Sequence, residues 1–272
     1  MKWRKRTAAL LAPLLLLSTA AQARGLFKAQ PGEAGATIDF RVEAPWDGVE
    51  KLPELTVIPN LGEEAKTPEG PVFPEAEDWQ LLLVNPWNEL PEDYEVKLRD
   101  LPDGMKVDER AYDDLIAMLQ ACRDDGLSPK ICSAYRTAAK QTYLYNNKIS
   151  RLRNAGYSRK AAEAEAGRWV ARPGTSEHQL GLALDIVSSS YQALTKKQEQ
   201  TKEQKWLMEH CWEYGFILRY PNDKSEITGI GYEPWHYRYV GRDVALDVRD
   251  SGLCFEEYLL LREETLAAGK PA

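Results

Sequence analysis

Two short motifs that would have to meet in space constrain the fold of this chain more than any other feature. The chain has three histidines; His178 lies in S-E-H-Q-L-G-L-A-L-D at 176–185, and His236 ends E-P-W-H at 233–236. Together with Asp185 they supply two imidazoles and one carboxylate, the ligand set of a catalytic zinc site with a fourth position open for water. Zinc lowers the pKa of a bound water to about 7, so the motifs predict hydroxide chemistry near neutral pH.

The residues around these ligands fit the same chemistry. Glu233 lies three residues before His236 and is the natural general base for a metal-bound water. A turn at Gly181 would fold the chain back so that His178 and Asp185 reach one metal ion. The alternative is that the histidines are ordinary buried residues and that Asp185 is a capping or salt-bridged acid.

The N-terminal 23 residues have the pattern of a secretory signal peptide. Four basic residues lie within 2–6, an apolar run covers about 8–17, and Ala21-Gln22-Ala23 is a small-residue cleavage site. We expect cleavage after Ala23 and a secreted or cell-envelope location. A retained anchor is the alternative, but the apolar run is shorter than the roughly 20 residues that span a bilayer, so we expect no stable membrane span after cleavage.

The charge balance excludes some classes of partner. The full chain has 35 basic and 42 acidic residues, and removal of residues 1–23 takes away four basic and no acidic ones, which changes the net charge from −7 to −11. An acidic protein is not attracted to nucleic acid or to anionic lipid surfaces. We therefore expect no nucleic-acid partner.

The cysteines of an exported protein are candidates for disulfides. The chain has four cysteines, an even number that is compatible with two bridges. Cys122 is predicted near a helix end and Cys132 in the following strand, which favours Cys122–Cys132 and Cys211–Cys254 among the three pairings. Four free buried thiols are the alternative.

Composition and periodicity divide the chain into four parts. Residues 24–77 are rich in Pro and Glu and indicate a linker or N-terminal extension with room for one strand at 55–58. The folded domain is predicted at 78–266, followed by a tail at 267–272. Within it we predict helices at 112–122, 138–152, 158–169, 199–214 and 255–266, and strands at 79–84, 130–134, 182–187, 216–219 and 235–240. We expect Gly126 to form a C-cap after the first of these helices and Ser158 to be the N-cap of the third.

Four motifs in this order resemble the VanY-type D-alanyl-D-alanine carboxypeptidases, zinc metallopeptidases of bacterial cell-wall metabolism. They are S-A-Y-R-T at 133–137, P-G-T-S-E-H-Q-L-G-L-A-L-D at 173–185, Y-G-F-I-L-R-Y-P at 214–221 and E-P-W-H-Y-R-Y-V-G at 233–241. The resemblance spans roughly 79–261. It implies an α+β fold, a small antiparallel sheet flanked by helices with the zinc site at the sheet, shared with lysostaphin-type and Hedgehog-type domains.

The resemblance also implies roles for individual residues. It assigns zinc binding to His178, Asp185 and His236, the catalytic base to Glu233, and stabilisation of the developing oxyanion to Arg136. The planar, permanently charged guanidinium of an arginine suits that last role.

Three further residues are weaker candidates for substrate contacts. Ser176 and Gln141 match positions near the substrate carboxylate or the metal, although a turn residue and a solvated helix residue would explain them equally well. Trp235 lies between the proposed base and His236, where it could wall the substrate pocket or serve packing alone. His210, beside Cys211 on a predicted helix, fits no metal spacing and is expected to be structural.

The expected function is zinc-dependent removal of the C-terminal D-Ala from peptidoglycan stem peptides by a monomeric enzyme without an organic cofactor. An L,D-carboxypeptidase or a peptidoglycan endopeptidase would use the same zinc motifs. A non-catalytic wall-binding domain is the third alternative, but such a domain has no need of a base beside an open metal position.

Overall fold

The structure, a computed structural model, describes residues 76–268. The predicted signal peptide, almost all of the predicted linker with its strand at 55–58, and most of the predicted tail lie outside these residues. Among the described residues, no helix has the length and apolar character that crossing a bilayer requires.

The fold combines helices with two small antiparallel sheets. The strands are β1 Leu98–Asp100, β2 Lys106–Asp108, β3 Pro129–Ser133, β4 Ala183–Ser188, β5 Phe216–Leu218 and β6 His236–Tyr239. The α-helices are α1 Tyr112–Asp124, α2 Ala138–Asn154, α3 Arg159–Gly167, α4 Lys202–His210, α5 Ser225–Thr228, α6 Arg242–Ser251 and α7 Phe255–Ala268. Shorter 3-10 turns lie at Ala76–Leu81, Glu177–Leu180, Lys196–Gln200 and Cys211–Tyr214. This arrangement confirms the predicted α+β class.

The central sheet has the strand order β3-β4-β6-β5, with every neighbouring pair antiparallel. Every residue of β4 is buried, since neighbouring strands flank it and the fold covers both its faces. In the register of this sheet Asp185 pairs with Ser133 on β3 and with His236 on β6. The sheet thus brings the two motifs together at the backbone level.

Helix α1 confirms the helix that the apolar spacing of the sequence predicts at 112–122. Its buried residues Leu115, Met118, Leu119 and Cys122 recur at intervals of three or four. The first three belong to the main core cluster, which also includes residues of the central sheet. At its end the amide of Gly126 donates to the carbonyl of Arg123 and the next amide reaches Cys122, a Schellman pattern that confirms the predicted C-cap.

Helices α2 and α3 form a hairpin that leads to the motif at 176–185. Thr137 and Ser158 cap the two helices by accepting hydrogen bonds from the backbone amides of Lys140 and Ala161, which confirms Ser158 as an N-cap. The predicted helix at 199–214 is divided between a 3-10 turn, α4 and a second 3-10 turn that Gly215 ends in a left-handed conformation.

The prediction of a strand at 79–84 is wrong. Residues Ala76–Leu81 form a 3-10 turn, although Leu81 and Val84 are buried as the apolar run suggested. They belong to two different core clusters, and the carbonyls of Gln80 and Leu82 accept hydrogen bonds from the side chain of Arg238 rather than from a neighbouring strand. The segment therefore contributes to both cores while its carbonyls pair with an arginine side chain.

The predicted disulfides are also wrong, because all four cysteines are free in the structure. Cys122 is fully buried on α1, whereas Cys132 is exposed and alternates with Ile131, which faces the main core from β3. Cys211 belongs to the main core cluster, and Cys254 is buried separately at the entry to α7. Alternation along β3 thus separates the first predicted pair.

The two-stranded sheet of β1 and β2, which the sequence did not predict, packs against the turn at Gly181. The amide of Asp108 donates to the Gly181 carbonyl at 2.9 Å. Gly181 has φ +80, and a Cβ there would lie 3.1 Å from the Asp108 nitrogen and 3.3 Å from side-chain atoms of Leu98 and Val96. Both the backbone conformation and the close approach require glycine at this position.

These contacts predict different costs for two glycine substitutions. Gly126→Ala has φ +78 but open space around the new Cβ, so we expect only the left-handed penalty of about 1 kcal/mol in the free energy of unfolding. Gly181→Ala adds contact with backbone that cannot move away and should cost clearly more. Urea denaturation of both variants tests this expectation, and equal losses would contradict it.

Candidate active site

Three buried side chains from the two motifs converge on one point. His178 lies on the 3-10 turn Glu177–Leu180, Asp185 in the middle of β4 and His236 at the start of β6. The His178 Nε2 is 3.3 Å from the Asp185 Oδ2, and the His236 Nδ1 is 3.1 Å from the Asp185 Oδ1. One potential ligand atom from each residue lies within 4.8 Å of the others. The structure therefore brings together all three residues predicted to bind zinc.

The donor atoms fit a metal ion. The His178 Nδ1 lies 2.8 Å from the carbonyl oxygen of Ala134, so this nitrogen carries the proton and leaves the Nε2 lone pair for the centre of the cluster. Burial, with the nearby Arg136 charge, lowers the pKa of His178 to about 4, which keeps the ring neutral as a ligand must be. Burial acts to raise the pKa of the Asp185 carboxyl. Its contacts with His178, His236 and Arg136 outweigh burial and lower that pKa well below its usual value.

The two ring nitrogens of His236 each face a carboxylate, that of Asp185 at Nδ1 and that of Glu177 at Nε2. Burial acts to lower the pKa of the His236 ring, but the nearby carboxylates of Asp185 and Glu177 outweigh burial and raise that pKa to about 9. Binding of a metal ion through Nδ1 would displace the proton on that nitrogen, as is general for histidine ligands. The cluster thus has two imidazoles and a carboxylate that fit the tetrahedral preference of zinc.

Glu233 lies beside the cluster on the turn before β6. Its Oε2 is 3.6 Å from the His236 Nδ1. Two backbone hydrogen bonds stabilise the turn: the Glu233 amide donates to the Tyr220 carbonyl, and the His236 amide donates to the Glu233 carbonyl. Burial raises the pKa of Glu233 to about 8. A carboxyl with a pKa near neutrality can both accept and return a proton, which suits the predicted base.

Arg136 follows β3 and reaches across the site. Its Nη2 donates to the Asp185 Oδ2 at 2.7 Å and its Nε to the Ser133 hydroxyl at 2.8 Å, while its amide donates to the His178 carbonyl. The side chain is 17% exposed, against 3% for Asp185, so it lies at the solvent side of the cluster. A cleft of about 400 Å³ opens next to it, lined also by Tyr94 and Gln179.

The weaker candidates fall into two groups. Gln141 is fully buried on α2, donates to the Ala171 carbonyl at 2.7 Å and accepts from Arg136 at 3.4 Å, so it is no solvated helix residue. Ser176 is buried at the start of the 3-10 turn and makes no side-chain capping bond there, and Trp235 is 6% exposed. Neither of these two contacts the ligand cluster through a hydrogen bond in the described residues.

His210 lies away from the site, as expected for a structural residue. Its Nδ1 contacts the Glu213 Oε1 at 2.8 Å, and its ring packs 4.8 Å from that of Trp206.

Sequence reasoning missed a cluster of four buried charged residues next to the ligands. Arg219 and Arg238 both contact the Glu177 Oε1, at 2.8 and 2.7 Å, and Arg219 forms a two-pronged pair with Glu256 at 2.9 and 2.6 Å. We call Glu177, Arg219, Arg238 and Glu256 the buried ion cluster. Three of its members lie in or next to the quoted motifs, but charged letters alone do not show that they are buried.

Comparisons with known proteins agree with the geometry. Residues 104–242 match the model of the VanY family, described as D-alanyl-D-alanine carboxypeptidase. A D-alanyl-D-alanine carboxypeptidase of Enterococcus faecalis is 41% identical over 212 residues, which cover 78% of this chain and 74% of the relative.

Two solved structures are similar in fold and sequence. One is a point mutant of a vancomycin resistance D,D-pentapeptidase VanY in complex with Zn(II), with a TM-score of 0.62 and 44% identity, covering 66% of this chain and 99% of that chain. The other is the LdcB LD-carboxypeptidase, with a TM-score of 0.56 and 34% identity, covering 68% of this chain and 87% of that chain. The extent of the family match and of the enterococcal relative shows that the chain belongs to the VanY family of D-alanyl-D-alanine carboxypeptidases.

Proposed function

We propose that the protein is a zinc-dependent D-alanyl-D-alanine carboxypeptidase that hydrolyses the C-terminal D-Ala from peptidoglycan stem peptides. The observation that carries the proposal is the convergence of His178, Asp185 and His236 on one point, with Glu233 and Arg136 on its border. Membership of the VanY family and the Zn(II) in a 44% identical structure support the choice of metal and reaction.

His178, Asp185 and His236 would hold the metal, with Nε2, a carboxylate oxygen and Nδ1 as donors. A zinc ion bound there supplies a Lewis acid for the peptide carbonyl and a water whose pKa is lowered to about 7. Burial of all three ligands protects the site from competing solvent ligands.

Glu233 moves the protons of the reaction. It accepts the proton of the attacking water and returns it to the amine of the departing D-Ala. Burial raises its pKa to about 8, so the carboxylate is a stronger base than an exposed one and can hold the abstracted proton until it is delivered to the amine.

Arg136 stabilises the negative charge that develops on the carbonyl oxygen. Its guanidinium already lies against Asp185 at the solvent side of the cluster, and Ser133 and Gln141 hold it there. The cleft beside Arg136 is the route by which an extended peptide would reach the ligands, and its polar walls suit a peptide substrate.

An L,D-carboxypeptidase is the second candidate, since the LdcB structure is also similar. The higher identity of the VanY structure favours D,D over L,D cleavage. Mass spectrometry of purified penta- and tetrapeptide stems after incubation with the protein separates the two. We expect the pentapeptide to lose one alanine and the tetrapeptide to stay intact. Trimming of the tetrapeptide alone would overturn the D,D assignment.

The same assay tests the role of Glu233. We expect Glu233→Gln to keep its zinc and to lose roughly 10²- to 10⁴-fold in rate, because an amide cannot accept the proton. Loss of zinc together with activity would show that Glu233 is a ligand instead.

The zinc ligands are tested by metal analysis of the purified protein. We expect about one zinc per chain in the wild type and little in His236→Ala, because two ligands are too few to retain the ion. His210→Ala is the matched control and should keep its zinc, since that ring contacts Glu213 and lies outside the cluster. Equal zinc content in wild type and His236→Ala would refute the assignment.

We further propose that the enzyme acts outside the cytoplasmic membrane. The basic and apolar pattern of residues 1–23 supports export, and the proposed substrate belongs to the cell wall. N-terminal sequencing of the protein from fractionated cells should find a chain that begins at Arg24 in an extracytoplasmic fraction. A cytoplasmic product that begins at Met1 would contradict this location.

A further inference from the structure

The two oxygens of the Glu177 carboxylate have opposite surroundings. The Oε1 accepts hydrogen bonds from Arg219 and Arg238. The Oε2 is buried and accepts none within the described residues. It lies 3.6 Å from the Nε2 of His236, which is likewise buried without a hydrogen-bond partner there. Buried polar atoms without partners are rare, and two facing each other point to an interaction that a small shift would complete.

The orientation of the His236 ring decides which nitrogen can serve the metal. The Nδ1 faces Asp185 and the ligand cluster, so the Nε2 faces away from it. A neutral imidazole that binds through Nδ1 carries its proton on Nε2, and a buried N–H requires an acceptor. Among the described residues, the Glu177 Oε2 is the acceptor in position. In His178, the outer nitrogen Nδ1 has such an acceptor, because it donates to the Ala134 carbonyl.

The buried ion cluster explains why the Glu177 carboxylate stays in place. Arg219 is fixed in turn by Glu256, whose Oε1 also accepts from the Asn85 side chain at 3.2 Å. The remaining N–H groups of Arg238 donate to backbone carbonyls of Gln80, Leu82 and Tyr239. Two arginines and two glutamates balance each other in charge, so the cluster can remain ionised in the interior.

We propose that Glu177 is a positioning residue that accepts the Nε2–H of His236 and thereby presents Nδ1 to the metal. The proposal rests on the proposed zinc site. It assigns to the buried ion cluster the task of orienting the His236 ring through the Glu177 carboxylate. Outer carboxylate partners of this kind typically change metal affinity 10- to 100-fold when they are lost.

The substitution Glu177→Gln separates positioning from mere packing, because it keeps the shape of the side chain. The two arginines require the amide oxygen on their side, which turns the NH2 group toward the His236 Nε2. A donor there favours the tautomer with the proton on Nδ1, the nitrogen that the metal needs. We expect roughly 10- to 100-fold weaker zinc binding in competition with a chromogenic chelator. We also expect a changed tautomer of His236 in ¹⁵N NMR spectra of the metal-free protein, recorded above the raised pKa of the ring so that the imidazole is neutral.

A matched control and a second variant keep the test decisive. Glu213→Gln makes the same change beside His210, which is no ligand, and should leave zinc affinity unchanged. If Glu177→Gln does not fold, Glu177→Asp keeps the charge opposite the arginines but withdraws it from His236, and should still weaken zinc binding. Wild-type zinc affinity and an unchanged His236 tautomer in a folded Glu177 variant would overturn the proposal. Failure of the wild type to bind zinc would instead overturn the proposed function.

Discussion

The antiparallel pairing of β4 with β6 is the constraint on which the site depends. It sets Asp185 directly opposite His236, and on the other side of β4 it sets Asp185 opposite Ser133, which holds Arg136. A slip of one residue in either pairing would turn the side chains to the other face of the sheet. The turn at Gly181 then brings His178 back onto the same strand. The register of this one sheet therefore determines the relative positions of the metal ligands and of Arg136 beside them.

The buried charges show what this site costs the fold. Moving four ionised side chains out of water is unfavourable by several kcal/mol for each ion unless they are well paired. Here the two arginines and two glutamates are joined by short hydrogen bonds, and the spare donors of Arg238 reach backbone carbonyls. An apolar core of the same volume would be at least as stable. The cluster is therefore better explained by what it does beside His236 than by its contribution to stability.

The sequence predicted the parts of the structure that follow from local patterns. The apolar spacing of α1 and its glycine C-cap, the Ser158 cap and the strands around the motifs all have causes within a few residues. The convergence of the ligands was predictable because only three histidines occur and two of them lie in motifs. The segment at 79–84 misled because its apolar residues are divided between two cores. The free state of the cysteines and the burial of Glu177 could not be predicted from local patterns. Both depend on which side of a strand or turn faces a neighbour far along the chain.

The hairpin of α2 and α3 is tied to the site through α2. Gln141 is the buried residue of α2, and its amide links Ala171 to Arg136. The buried residues of α3 are the small Ala162 and Ala166, which pack without polar contacts of their side chains. Most of the hairpin surface can thus accept mutations without disturbing the residues that bind the metal. Over evolution, the exposed surface of this hairpin can therefore vary in sequence while the hydrolytic centre stays the same.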